Sequence, residues 1–405
     1  MIDPKRRRPT NEDRVSPSKS AARAAGLFRL TQPALVYSTW IVDNSVMTSG
    51  VQPLSTLPPE INDRSAWYGR DLAKVSDWIE QFSETEIAEL ASATTKLLEN
   101  PSVDLTSLNR GDFPLPGLGP RLQRLLDEVL NGRGFVLIRA LPIQRWTRRE
   151  SATAFLGIGV HLGSLRMQNA AGQLLGHVRD LGRSSQDPET RIYQTRERQT
   201  FHTDSCDVVG LLCLQVAKSG GLSSLVSSTT IFNEMRRRRP DLLRVLLDPI
   251  ETDRRGEVPE GEKPYFSIPV FNWHENLLSA IYQRQYIESA RRFPGVGPLS
   301  QAQLEALDLF DELANDPELN LNMEFHPGDM QFVHNHTILH DRTAFEDYSE
   351  PERKRHLLRL WLAPGNARPL PEVFAARFGS VTPGDRGGIT VEGSRPNIPF
   401  DETSE

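Results

Sequence analysis

Apolar positions fall into two kinds of run along this chain. In the first kind they recur at the helical period. Ile87, Leu90, Ala91, Leu97 and Leu98 keep one face apolar, interrupted by Thr94, and Ser83-Glu84-Thr85-Glu86 ahead of them reads as a capping box. Leu122, Leu125, Leu126 and Val129 predict a second helix stopped at Gly132. Ser151 to Leu162 predicts a third, and Ile231 to Leu247 a fourth that is bent or broken at Pro240. Gln301 to Ala314 predicts a fifth. The second kind is short and continuous. Gly134 to Ile138, Val208 to Val216, Met330 to Val333 and Leu357 to Leu362 suit buried strands, and Ser224 to Ser228 alternates as a strand. Ser219-Gly220-Gly221 marks a turn.

Strands before and after helical stretches predict an α+β fold, a β-core decorated by helices. A barrel or sandwich fits, because ligands on distant strands must meet at one mouth. Order is expected from Trp67-Tyr68 onward. Residues 1–60 read as a disordered leader carrying the basic run Lys5 to Arg8 and an apolar patch from Leu35 to Val42. That basic run could alternatively be an address, and Met47 an alternative start. Residues 61–365 form the expected domain, and 366–405 a loop-rich tail with a loose acidic end from Asp401. No internal repeat is present.

Composition narrows the partners. The chain has 405 residues, 38% of them hydrophobic, enough for one large domain or two ordinary ones. A net charge of −6 argues against a nucleic-acid binder. No apolar run reaches a membrane span's ~20 residues, so neither nucleic acid nor membrane is expected as a partner. Two cysteines, Cys206 and Cys213, form no disulfide framework and suggest a reducing, cytoplasmic setting.

The chemistry gathers around Phe201-His202-Thr203-Asp204. On a strand, the His-x-Asp spacing puts both side chains on one face. A second, distant histidine would complete a 2-His-1-carboxylate site, which holds Fe(II) on one side and leaves positions open for co-substrate and oxygen. The segment from Pro327 to His340 holds three of the nine histidines, His334, His336 and His340. The residues alone leave the choice open, including an all-histidine zinc or copper site. Against closed structural zinc, Cys206 and Cys213 are poorly placed to supply further ligands.

His202-Thr203-Asp204, the Gly220-Gly221-Leu222-Ser223 turn, Asn335 five residues before His340, and the pair Arg355 and Arg359 resemble the TauD/TfdA group. These are Fe(II)- and 2-oxoglutarate-dependent dioxygenases, and the order of motifs persists over roughly residues 110–365. The resemblance implies a double-stranded β-helix (jelly-roll) core with flanking helices and a helical insertion. It implies His202, Asp204 and His340 as iron ligands, and O₂ and 2-oxoglutarate as co-substrates. Arg355 would hold the distal carboxylate of 2-oxoglutarate by a bidentate, charge-assisted bond. Ser223, standing where the family has threonine, would bond the same carboxylate. Arg359 would contact the substrate, hinting at a small acidic molecule; a structural ion pair, or a part in holding the co-substrate, is its other reading. His334 and His336 would orient the site from behind. An intact Asp204 points to hydroxylation rather than halogenation. A degenerate non-catalytic binder and a metal enzyme that does not use 2-oxoglutarate are the rival classes. A homo-oligomer is compatible with all of this.

Other features carry less. Arg236 to Arg239 reads as a solvated helix face, and Gly117 and Gly119 lack the Lys-Ser/Thr of a phosphate loop. Trp67, Tyr68, Gln168 and Tyr193 are expected in the core or at a rim rather than lining a pocket. His161 and His177 lack a partner pattern.

Overall fold

The computed structural model describes residues 56–184 and 190–400. The Lys5 to Arg8 run, the Leu35 to Val42 patch, Met47 and the acidic end from Asp401 lie outside them. Side-chain caps set where the helices begin. Ser83 and Glu86 exchange bonds as a capping box at Glu84–Leu98, and Thr147 with Glu150 does the same for Arg148–Leu162. Each such cap contributes about 1 kcal/mol. The predicted break at Pro240 separates Ser228–Arg238 from Pro240–Val245. Gly119–Asn131 and Gln301–Asn315 are the remaining long helices, both where their periodicity places them.

Eleven strands form two principal sheets. In chain order they are β1 (Ile79–Gln81), β2 (Phe135–Arg139), β3 (Ser164–Leu165), β4 (Gly176–Val178), β5 (Gln199–His202), β6 (Val208–Gln215), β7 (Ser223–Ser227), β8 (Asn320–Met323), β9 (Met330–His334), β10 (Ile338–Arg342) and β11 (His356–Ala363). The major sheet runs β1-β2-β9-β6-β11-β3, with β4 also on β11. It is antiparallel apart from the parallel β1–β2 pair. The minor sheet runs β8-β7-β10-β5 and is antiparallel throughout.

The major sheet is covered on both faces, which explains why β2, β6, β9 and β11 read as continuous apolar runs. Along β11, Leu358, Leu360 and Leu362 pack outward with the helices Gly119–Asn131 and Arg148–Leu162. Leu357 and Trp361, on the other face, join Phe135, Val209 and Val333 of the major sheet and Leu225, Leu321 and Ile338 of the minor sheet in one cluster. That shared cluster is the interior of a two-sheet sandwich. Behind the minor sheet, Phe201, Val226 and Leu339 pack with the helices Ser228–Arg238, Pro240–Val245 and Gln301–Asn315. The expected α+β jelly roll is what the chain forms.

The loop-rich stretch expected after residue 365 packs firmly over residues 366–400. Phe374 and Phe378 are buried against the His336 ring, and Arg386 is fully buried. Arg386 grips the Asp207 carboxylate through Nε (3.0 and 3.1 Å) and Nη2 (2.8 Å), and also donates to the carbonyls of Arg368 and Val381. A buried charge left without its partner is costly. Arg386→Met is therefore expected to lower unfolding stability by about 3–5 kcal/mol, read as a shift of the urea midpoint. An unchanged midpoint would mean that this pair does not hold the C-terminal segment.

The arginine run behaves as a solvated face. Arg237 and Arg238 pair with Glu234, Arg237 also with Glu60, and Arg239 with Asp241. Cys206 and Cys213 are both free and buried. Among the described residues, no helix is long and apolar enough to cross a membrane.

Candidate metal centre and adjoining cavity

Strand register builds the site. β5 and β10 pair antiparallel with His202 directly opposite His340, although the two are remote in sequence, and their ring centroids lie 4.2 Å apart. Phe201 and Leu339, their neighbours, point the other way into the helical cluster. Both histidines therefore face the sandwich interior. Asp204 reaches the same place by a different route from the one expected. β5 ends at His202, and Asp204 stands in the following loop rather than on the strand face. The loop is fixed there because Thr203 N donates to Tyr282 O and Asp204 N to Asn335 Oδ1.

The three side chains can offer ligand atoms that all lie within 4.8 Å of one another, and among the described residues they form the one group of this kind. Asp204 Oδ1 is 4.0 Å from His202 Nε2, and Asp204 Oδ2 is 3.8 Å from His340 Nε2. Two donors hold the carboxylate on its Oδ2 side: Trp361 Nε1 at 3.0 Å and Arg359 Nη1 at 3.3 Å. Burial alone would raise the Asp204 carboxyl, but Arg359, the two histidines and the Trp361 bond outweigh it and bring it to about 2. His340, pushed down by burial and by the neighbouring His202, lies at about 3. Burial likewise depresses His202. At neutral pH the donor set is thus two neutral imidazoles and one carboxylate, which is suited to a divalent cation with open positions.

Neighbouring groups orient these side chains. The His202 Nδ1–H donates to Thr200 O at 2.8 Å, which leaves Nε2 as the atom able to coordinate. The Gln199 amide bonds that Nε2 at 2.8 Å, so coordination there replaces this bond. His334 and His336, by contrast, do not join the centre. His336 lies past the end of β9 and bonds Asp207 Oδ1 at 2.8 Å, while His334 Nδ1 meets Thr337 Oγ1. They brace the loop and the C-terminal segment instead, and Asn335 between them holds Asp204.

A cavity opens beside the centre, lined by His202, His340, Ser223, Arg342, Arg355 and Arg359 among others. Arg355 just precedes β11. Its guanidinium stands over the Phe345 ring, and its buried Nη1 has no hydrogen-bond partner. Burial, opposed by Cys213 and Asp347, draws Arg355 down to about 10. Gly221 makes room for it. With φ at +69°, a Cβ there would sit 3.0 Å from Arg355 Nε. Ser223 lies opposite Arg342 on the β7–β10 pair. Arg342 is a second buried cation on this wall. It donates to Thr195 O, and burial with Arg355 alongside takes it to about 9.

Arg359 shows the ion pair of its alternative reading. Besides Asp204, it bonds Gln168 Oε1 through Nε at 2.7 Å, with the guanidinium over Tyr193 and Trp361. Tyr193 is buried in the interior cluster, as expected, and also lines the cavity, while Gln168, buried as well, holds Arg359 from behind. Trp67 and Tyr68 do pack in the core or beside it. His161 bonds Phe113 O, and His177 pairs with His356. Trp361 escapes sequence-level reasoning, although it shares a strand face with Arg359 at a spacing of two.

Comparison with known proteins gives the family and the fold. FR-33289 synthase of Streptomyces rubellomurinus is 32% identical over 321 residues, covering 78% of this chain and 94% of that protein. A taurine hydroxylase-like protein of Stachybotrys chartarum, SAT17, is 32% identical over 337 residues, covering 78% and 86%. The fold matches that of asparagine oxygenase, solved with Fe(II), hydroxyasparagine and succinate, with a TM-score of 0.55 at 14% identity over 70% of this chain and 93% of that one. The non-heme iron oxygenase OrfP, solved with Fe and α-ketoglutaric acid, matches with a TM-score of 0.51 at 14% identity over 70% and 93%. The model of the taurine catabolism dioxygenase TauD, TfdA family spans residues 100–361 and ends at Trp361, within β11. This chain belongs to the TauD/TfdA dioxygenase family.

Proposed function

We propose that the chain is an Fe(II)- and 2-oxoglutarate-dependent oxygenase that hydroxylates a small acidic molecule. His202, Asp204 and His340 are its metal ligands, Arg355 and Ser223 its co-substrate anchor, and Arg359 stands on the substrate side. The observation that carries this reading is the unpartnered, buried Nη1 of Arg355 on the same cavity as the histidine pair. A desolvated guanidinium without a carboxylate is costly, and a dicarboxylate chelating the metal at one end supplies the missing partner at the other.

Bound iron supplies the oxidising chemistry, coupling the decarboxylation of 2-oxoglutarate to succinate and CO₂ with oxygen insertion into the substrate. The chain supplies placement. His202 presents Nε2 because Thr200 holds Nδ1. Asp204 stays ionised, and both of its side-chain hydrogen bonds fall on Oδ2, leaving Oδ1 to the metal side. Val209, Leu211 and Leu357 wall the cavity with apolar surface, which strengthens the Arg355 charge by excluding water.

The test follows succinate release after oxygen is admitted to protein loaded anaerobically with Fe(II) and 2-oxoglutarate, across a library of small acids and amino acids. Succinate formed in step with a hydroxylated product is expected. Stoichiometric 2-oxoglutarate binding without oxygen uptake would make the chain a binding protein. Product formed without succinate would make it an oxygenase of another kind.

A further inference from the structure

A second cavity adjoins Asp204, lined by Arg191, Ser205, Gln283, Arg359 and Arg377 together with His202 and Asp204 themselves. Three of these residues are arginines, and their carboxylate partners number two. Arg359 is matched by Asp204. Arg191 is matched by Glu257, which Arg377 Nη2 approaches only to 3.7 Å. One guanidinium is therefore in excess.

The excess lies on Arg377. Among the described residues its one hydrogen bond runs from Nε to Ser205 Oγ at 2.7 Å, while the amino nitrogens make none. The residue is buried, and burial lowers its affinity for a proton, bringing it to about 10. Beside it, the Gln283 Oε1 is buried and without a partner, so the amide is free to turn its NH₂ toward a ligand. Ser205 directly follows the metal carboxylate, so a charge held on Arg377 sits next to the metal centre.

We propose that Arg377, with Arg191 and Gln283 around it, forms the subsite for the anionic group of the substrate, a carboxylate, sulfonate or phosphonate carrying one negative charge. This places the specificity-determining cation on the C-terminal segment, beyond the family-matched residues 100–361, with Arg359, paired to Asp204, beside it on the same cavity. Only the word substrate rests on the oxygenase reading; the anion site stands on its own geometry. A planar guanidinium fork suits each of these groups, and an excess cation favours a monoanion over a neutral isostere.

The test uses methanesulfonate, a monoanion at all working pH values, and dimethyl sulfone, its neutral counterpart of similar shape. Both are titrated calorimetrically into anaerobic, iron-loaded protein with saturating 2-oxoglutarate. Methanesulfonate is expected to bind about tenfold more tightly than the sulfone, or better. Arg377→Gln is expected to remove that preference, and Arg377→Lys, which keeps the charge and serves if the glutamine variant does not fold, to weaken methanesulfonate several-fold. Equal binding of the two probes, or full affinity in both variants, would each overturn the proposal. If 2-oxoglutarate is neither bound nor consumed while Arg377-dependent binding persists, the oxygenase reading fails and the anion subsite stands.

Discussion

His202→Ala abolishes Fe(II)-dependent succinate formation: this is the largest effect expected of any single change. The variant keeps Asp204 and His340 but loses the ligand that closes the set across the β5–β10 pair. Changes to groups that merely orient a ligand typically cost about 10–100-fold in metal affinity, so loss of a ligand itself should exceed that. Turnover below about 1% of wild type is the corresponding rate effect. Metal content of the purified variant and its succinate yield are the measurements. Full activity with His202 gone would reject the assignment of this centre, whatever the fold.

Arg355→Leu is expected to raise the 2-oxoglutarate requirement about 100-fold or more while leaving iron binding largely intact. Losing a desolvated, charge-assisted pair costs about 2–5 kcal/mol, and each 1.4 kcal/mol is about a factor of ten. The effect should fall on KM for 2-oxoglutarate more than on metal content. Unchanged dependence on 2-oxoglutarate would remove Arg355 from the co-substrate site. The same variant carries a second signature. Arg355 is buried with Nη1 unpartnered, so without 2-oxoglutarate the guanidinium is a burden on the fold. Leucine should leave thermal stability equal or higher in that condition, a trade of stability for binding common at functional sites.

The helices are legible from local signals that survive folding unchanged: the Ser83 cap and the Pro240 break are decided within one turn. Buried strands are visible as apolar runs, but a run covered on both faces has no period to say which side faces the site. In β11 the arginine at 359 breaks the run on the face that Trp361 shares, and that polar interruption is the signal for the cavity side. The pairing of β5 with β10 is beyond reading, since no local pattern specifies a partner so distant in sequence. The His-x-Asp spacing fits a strand face, which is why the sequence suggests one for Asp204. The hydrogen bonds that pull the chain off the strand come from Tyr282 and Asn335, remote in sequence. Arg377 and Arg386 sit in a stretch with little regular structure, so periodicity could not mark them.

The grip of Arg386 on Asp207 bears on how such a protein could be re-engineered. All three proposed ligands are encoded before residue 361, whereas Arg377, on the wall of the second cavity, and Arg386, which fastens that wall, are encoded after it. Both thus lie on one short segment that packs onto the scaffold carrying the proposed ligands. A replacement segment could alter what the enzyme accepts without rewriting the ligands, provided it brings its own arginine for Asp207.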